Sequence, residues 1–193
     1  MKKEIFDRYA QSDKGEIIID ISAEKVEDLY NDFDKYAPYV KKELDQELVD
    51  YIIASVKEIG DAPFMIRFRL TAPLESALES RLQSSISSYF RYLKELEIDE
   101  LKGMLRRSFY LFLIGLAFIT ASIWVNTLYK DDMSVLQKVF AEGLTVAGWV
   151  SFWEALSTFL IDWMPHRNRI RMYERIAATA LHFLQEREVT ATH

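Results

Sequence analysis

The chain has 193 residues, with 24 Lys and Arg, 30 Asp and Glu, and no cysteine. The lack of cysteine excludes disulfides, iron–sulfur clusters, thiolate catalysis and cysteine-ligated zinc. The excess of acid lies in the first 108 residues, which hold 17 Lys and Arg against 22 Asp and Glu. Because phosphate binding needs a concentrated basic surface, we expect no nucleic-acid partner.

Residues 1–73 are predicted to form a small cytoplasmic α+β domain. Glu16 to Ile21 reads E-I-I-I-D-I, a β-branched run that is typical of a strand. Apolar residues at helical spacing predict one helix from Ser22 to Phe33 and a second over residues 43–59. Residues 63–70 alternate in part and predict a second strand. The order β-α-α-β needs a further element, because two strands are marginally stable alone.

Residues 74–107 are predicted to form an amphipathic helix that leads to the membrane. Its apolar residues recur every three or four positions. This spacing suits either a stripe that faces the domain core or a coiled coil with a second copy. The stripe changes phase near Glu97, so the pattern leaves open whether the helix is straight, kinked or briefly broken.

Two apolar segments predict a transmembrane helical hairpin, and with it a mainly α membrane protein. Residues 108–129 carry no formal charge, and about 20 helical residues cross the roughly 30 Å hydrocarbon core of a bilayer. The second predicted span covers residues 143–164, with Glu154 near its middle. Residues 130–142 then form an external loop, and residues 165–193 form a cytoplasmic amphipathic helix and tail.

Basic residues at the borders of the spans predict the orientation of the hairpin. Arg106 and Arg107 precede the first span and Arg167 and Arg169 follow the second, whereas two lysines in the loop are offset by three acids. The positive-inside rule therefore places both termini in the cytoplasm. Trp163 and these arginines are predicted to contact lipid headgroups at the membrane interface. The first twenty residues hold no apolar run of signal-peptide length, so no export signal is expected.

Glu154 and Asn126 are the polar residues predicted to form an intramembrane site. A carboxylate inside a bilayer costs a few kcal/mol or more, so it is paired, protonated or beside water. Two interpretations remain open. Glu154 belongs to an ion or proton site, such as a pore-lining ring, or it is protonated and bonded to another helix through Ser151, Ser157, Thr158 or Asn126.

Small residues on the second span predict close helix packing, since small side chains let helix backbones approach in lipid. They are Gly143, Ala147, Gly148 and Ser151. Their partner is either the first span of the same chain or a second copy. Two spans alone give a thin transmembrane core, so we expect a homo-oligomer.

No catalytic motif is present in the sequence. The nucleophile elbow G-x-S-x-G, the zinc motif H-E-x-x-H and glycine-rich phosphate loops are all missing. His166 follows Asp162 by four residues, so a pair at a helix end or a contact with a lipid headgroup explains it, and a metal site needs more convergent ligands. We therefore expect no enzymatic activity, no catalytic residue, no cofactor and no metal site.

The second span and the residues after it resemble a known group of proteins. The pattern G-W-V…W…D-W-x-P-x-R is carried by Gly148, Trp149, Val150, Trp153, Asp162, Trp163, Pro165 and Arg167. It is similar to the end of the second span in a family of uncharacterised bacterial two-span inner-membrane proteins. The chain departs from that pattern at Glu154, where the group has arginine. The resemblance implies a location in the bacterial inner membrane and supplies no activity.

These observations predict a non-enzymatic membrane protein that is surrounded by membrane lipids. It acts as a scaffold, sensor or accessory subunit, and its cytoplasmic domain engages a protein partner. The alternative is an oligomeric ion channel or transporter, in which Glu154 or Asn126 lines the path.

Overall fold

The computed structural model describes Phe6 and residues 8–31, 43–71, 76–128 and 134–185. Residues 130–133 of the predicted external loop and residues 186–193 of the predicted tail lie outside these ranges. The chain divides into two units. The α+β unit comprises Met1–Lys94 and Arg171–His193, and the hairpin unit comprises Glu95–Ile170.

A small mixed sheet forms the centre of the α+β unit. Its strands are β1 (Ala10–Gln11), β2 (Ile17–Ala23), β3 (Phe64–Leu70) and β4 (Leu181–Gln185), in the spatial order β1-β2-β3-β4. β1 pairs with β2 antiparallel, whereas β2 with β3 and β3 with β4 are parallel. Both strands that the sequence predicts are therefore present, and two further strands join them.

Alternation along β2 and β3 determines which side chains enter the core. Ile19 lies opposite Ile66 and Ile21 lies opposite Phe68, and all four side chains are buried. Helix α1 (Gln46–Ile59) connects β2 to β3 and adds an apolar face to the same core. Its buried residues include Val49, Ile52, Val56 and Ile59, which follow the helical period.

The capping residues Asp45 and Gly60 determine where α1 begins and ends. The carboxylate of Asp45 accepts hydrogen bonds from the backbone N–H groups of Glu47 and Leu48, which have no partner within the helix. Gly60 follows the last turn with a φ of 68°, a backbone conformation that favours glycine. The predicted helix over residues 43–59 is thus present, with a start that the Asp45 cap places at Gln46.

The predicted helix from Ser22 to Phe33 is wrong in the described part of that segment. Ser22 and Ala23 continue β2, because the pairing with β3 extends as far as Ala23 opposite Leu70. Only a 3₁₀ turn, Val26–Leu29, follows. Its apolar residues still enter the core, so the spacing indicated burial correctly and the conformation incorrectly.

Three long helices account for most of the remaining described chain. They are α2 (Ser76–Leu128), α3 (Val135–Ser157) and α4 (Trp163–Ala178), with a π-helix over Thr158–Asp162 between the last two. Helix α2 has 53 residues and passes Glu97 without a break, although the sequence left a break open there. The side chain of Ser134 accepts from the N–H of Gln137 and caps α3, which begins inside the predicted external loop.

The helices of the hairpin unit are long and apolar enough to cross a membrane. In the most apolar 18-residue window of each candidate helix, 17% of the residues are buried. Core helices of a soluble protein are mostly buried, so a soluble core does not explain these two. Large apolar side chains such as Trp124, Val150 and Trp153 are instead more than half exposed.

The amphipathic helix predicted within residues 165–193 ends earlier than expected, and a strand follows it. Helix α4 ends at Ala178, and Leu181–Gln185 joins the sheet as β4, parallel to β3. Phe183 stacks on Phe68 with 5.4 Å between the ring centroids, which anchors β4 on the sheet. The α+β unit is therefore assembled from the chain segments on either side of the hairpin.

An ion pair between β2 and β3 supports a prediction about pH. Arg67 donates from Nη2 to Asp20 Oδ2 at 2.6 Å, and the hydrogen bond from Arg67 is the main reason that the pKa of Asp20 lies below its usual 3.8. A lowered pKa contributes stability above pH ~4, and this is lost as the pH falls through the pKa of the folded state. We expect Asp20→Asn to cost about 1 kcal/mol at pH 7.

The difference in melting temperature between wild type and Asp20→Asn should then shrink as the pH is lowered from 7 to ~3, because the wild-type carboxylate takes up a proton as the pH falls through its lowered pKa. Circular dichroism of the full-length protein in detergent measures it. Asp61→Asn, which changes an exposed acid, serves as the control. An equal difference at both pH values would contradict the assignment.

Candidate functional site

Two rows of small buried residues face each other in the hairpin unit, and we call this contact the seam. On each helix the small residues recur every seven positions, so they stay on one face of the helix. The seam residues are Ser108, Gly115 and Ser122 on α2 and Ala141, Gly148 and Ala155 on α3.

Hydrogen bonds fix the register of the seam at both ends. Ser108 Oγ donates to the carbonyl of Ala155 at 3.0 Å, and Ser122 Oγ donates to the carbonyl of Ala141 at 2.8 Å. Thr145 Oγ1 lies 2.6 Å from Ser122 Oγ. Moving forward along α2 from Ser108 to Ser122 thus corresponds to moving backward along α3 from Ala155 to Ala141 by the same number of residues. The two helices are antiparallel neighbours, and a slip by one residue would break both bonds.

The closest approach of the two helices lies at the centre of the seam. A Cβ atom added to Gly115 would lie 2.9 Å from the carbonyl oxygen of Gly148, and one added to Gly148 would lie 2.6 Å from Ile119 Cγ1. Both distances are shorter than real Cβ atoms tolerate, so both positions need glycine. At this level the backbones are in contact and leave no space for a path between the helices.

The predicted packing residues divide between the seam and its surroundings. Gly148 lies in the seam, and Ser151 lies beside it with its Cβ 3.3 Å from the position of a Gly115 Cβ. Ala147 is half-buried, and no described atom lies within 4 Å of a Cβ placed on Gly143. Gly143, Ala147 and Ser151 lie four positions apart on one span, whereas the contact uses a seven-residue spacing on both helices.

The register also separates the two predicted intramembrane polar residues. Glu154 adjoins Ala155 and is level with Phe109, whereas Asn126 lies beyond Ser122 at the opposite end of the seam. Both side chains are exposed. Among the described residues, no group donates a hydrogen bond to the Glu154 carboxylate. Within one chain, Asn126 is therefore too far away to be the partner of Glu154.

The predicted interface residues lie at the end of the hairpin unit where α2 enters it and α4 leaves it. Arg106, Arg107 and Arg169 are exposed or half-exposed, and Trp163 is partly buried. The guanidinium of Arg167 lies 5.4 Å from the centroid of the Trp163 ring, within the range of a cation–π contact.

A buried carboxylate that the sequence analysis did not single out lies at the same end. Glu97 on α2 is 7% exposed, and its Oε1 lies 2.6 Å from His166 Nδ1 and 3.3 Å from Arg169 Nη1. His166 therefore contacts Glu97 and does not pair with Asp162 as predicted. The π-helix that ends at Asp162 is wider than an α-helix, which changes the face on which the following residues lie.

Comparisons with family models, with curated proteins and with solved structures find no match to this chain. The resemblance to bacterial two-span proteins therefore stays a prediction, and the geometry alone supports the functional argument.

The seam supports a prediction about packing. We expect Gly148→Val to lower the melting temperature of the purified protein, because the new side chain meets the backbone of α2, and overpacking of this kind costs about 1–3 kcal/mol. Gly143→Val is the matched control, because it makes the same change on the same helix in open space. Equal losses in the two variants would show that helix propensity, and not the seam, causes the effect.

Proposed function

We propose that this chain is a non-enzymatic integral protein of the bacterial inner membrane. In this proposal the hairpin unit spans the bilayer, and the α+β unit acts in the cytoplasm as a scaffold, sensor or accessory subunit that engages a protein partner. The pairing of β3 with β4 is the observation that carries the proposal.

The pairing of β3 with β4 bears on which segments of the chain share a compartment. β3 precedes both candidate spans and β4 follows them, yet the two strands are hydrogen-bonded neighbours in one sheet. Strands of one sheet lie in the same compartment, so a chain that crosses the bilayer between them crosses an even number of times. This supports a two-span hairpin with both flanking segments on one side, and the arginines at its borders favour the cytoplasm.

Contacts of α4 inside the α+β unit support a sensor or scaffold more than a passive anchor. Arg175 Nη2 donates to the carbonyl of Ala62 at 2.7 Å, and Ser87 Oγ donates to the carbonyl of Ala177 at 2.6 Å. Only Thr179 and Ala180 separate α4 from β4. A displacement of α4 relative to α2 would therefore be transmitted to the sheet through hydrogen bonds.

The topology is tested with reporters fused to the full-length chain. We expect a cytoplasm-active reporter after His193 to be active and a periplasm-active reporter at the same place to be inactive. The reverse result is expected for reporters inserted after Asp132, in the predicted external loop. Periplasmic activity after His193 would refute the orientation.

Homo-oligomerisation rests on the exposed face of α3. Glu154 lies there without a described donor, among large exposed side chains such as Trp153 and Val150. A carboxyl group in this setting is stabilised when a second copy supplies a hydrogen-bond partner. The same exposed carboxyl keeps the channel alternative open, in which several copies place Glu154 around a path.

Particle mass in detergent tests the role of Glu154. We expect the wild type to be a defined oligomer, Glu154→Gln to keep its mass because the amide still forms hydrogen bonds, and Glu154→Leu to shift the particles towards monomer. Glu142→Leu, which removes an exposed acid from the same helix, is the control. A monomeric wild type, or an unchanged mass for Glu154→Leu, would contradict this assembly.

Ion flux into liposomes separates the two functions. The scaffold proposal expects flux no greater than in protein-free vesicles. Flux that depends on the wild-type protein and changes in Glu154→Gln would favour the channel alternative.

A further inference from the structure

Three side chains with metal-ligating atoms converge in the hairpin unit, and we call them the E-E-H cluster: Glu97 and Glu100 on α2 and His166 on α4. One ligand atom from each lies within 4.8 Å of the others. His166 is far from the two glutamates along the chain, so the sequence alone does not indicate that the three ligands converge. Folding of the hairpin brings them together.

The two oxygens of the Glu97 carboxylate differ in their contacts. Its Oε1 accepts from both His166 and Arg169, whereas no described group donates to its Oε2. The side chain as a whole is 7% exposed, yet Oε2 itself keeps some contact with solvent. The free oxygen of a nearly buried carboxylate is thus available to a ligand in the cluster.

The charges of the cluster also favour a cation. Glu100 lies one turn along α2 from Glu97, and like charges at this spacing repel each other. Arg169 is the one permanent positive charge that contacts Glu97 within the described residues, and it is half exposed. A divalent ion between the two carboxylates would remove the repulsion and satisfy the free oxygen.

We propose that the E-E-H cluster binds one divalent first-row transition metal ion, such as Zn²⁺ or Mn²⁺. One imidazole nitrogen and two carboxylate oxygens suit these ions, and water completes the coordination. Bonds of about 2.0–2.2 Å require a small movement, which exposed Glu100 can make. On binding, the ion would displace the proton from His166 Nδ1, so a bond to the ion would replace the hydrogen bond to Glu97, and the neutral imidazole would keep its proton on Nε2. Arg169 would hold Glu97 in place from outside the coordination sphere.

This site goes beyond the proposed function and does not depend on the oligomer. A bound ion would join α2 to α4 at one end of the hairpin unit. Occupancy would then stabilise that pair of helices, as any ligand that binds the folded state does.

Calorimetry on the full-length protein in detergent tests the site, after treatment with a chelator and dialysis. We expect Zn²⁺ to bind with one ion per chain and to raise the melting temperature. Glu100→Gln should weaken binding at least tenfold and lose most of the zinc-dependent rise. This variant changes an exposed side chain and removes a repulsion, so its metal-free melting temperature should not fall below that of the wild type. The same titration with Co²⁺ gives visible absorption bands that report nitrogen and oxygen ligands.

Glu95→Gln is the matched control, because Glu95 is an exposed acid near the cluster on the same helix. Its affinity for Zn²⁺ should stay within twofold of the wild type. His166→Gln removes the nitrogen ligand and should abolish the cobalt spectrum. The proposal is overturned if the wild type shows no saturable binding up to ~1 mM Zn²⁺. It is also overturned if Glu100→Gln and His166→Gln bind as the wild type does, which would place the ion elsewhere, for instance at His193.

Discussion

The backbone contact between Gly115 and Gly148 is the constraint on which the hairpin unit depends. Apolar side chains on two long helices can pack in many registers, because most of them are similar in shape. Two glycines that meet at their backbones fix one register, since neither tolerates a Cβ atom at that place. The hydroxyls of Ser108 and Ser122 then each find a carbonyl at the ends of the same seam. Every other register would lose those bonds.

Once the register is fixed, the positions of the polar side chains follow. Glu154 lies outside the seam and Asn126 lies beyond its far end, so neither residue completes a site within one chain. Glu97 and His166 meet instead, at the end where the basic residues cluster. Within a single chain, the polar residues that meet are therefore those at the base of the hairpin.

Much of the fold could be predicted from short-range patterns, and the rest depends on long-range contacts. The β-branched run of β2, the amphipathic face of α1 and the length of the uncharged segment are local signals, and each indicates the element that forms. β4 carries a helical spacing and becomes a strand because β3 offers it an unpaired edge. Ser22 and Ala23 extend β2 because they pair with β3, and a 3₁₀ turn follows where the spacing predicted a helix. Glu97 could not be identified, because its burial comes from α4, which lies some seventy positions later in the sequence.

The π-helix at Thr158–Asp162 allows both the seam and the E-E-H cluster to form on successive parts of the same helical segment. A seven-residue step from Ala155 leads to Asp162, which would bring a carboxylate into an apolar contact. The wide turn takes up one additional residue, so Asp162 is exposed and Trp163 is partly buried in its place. The same change of phase brings His166 to Glu97. One irregular turn therefore keeps an acid out of the seam and supplies the histidine of the E-E-H cluster, which explains why a costly geometry is retained where a regular helix would otherwise continue.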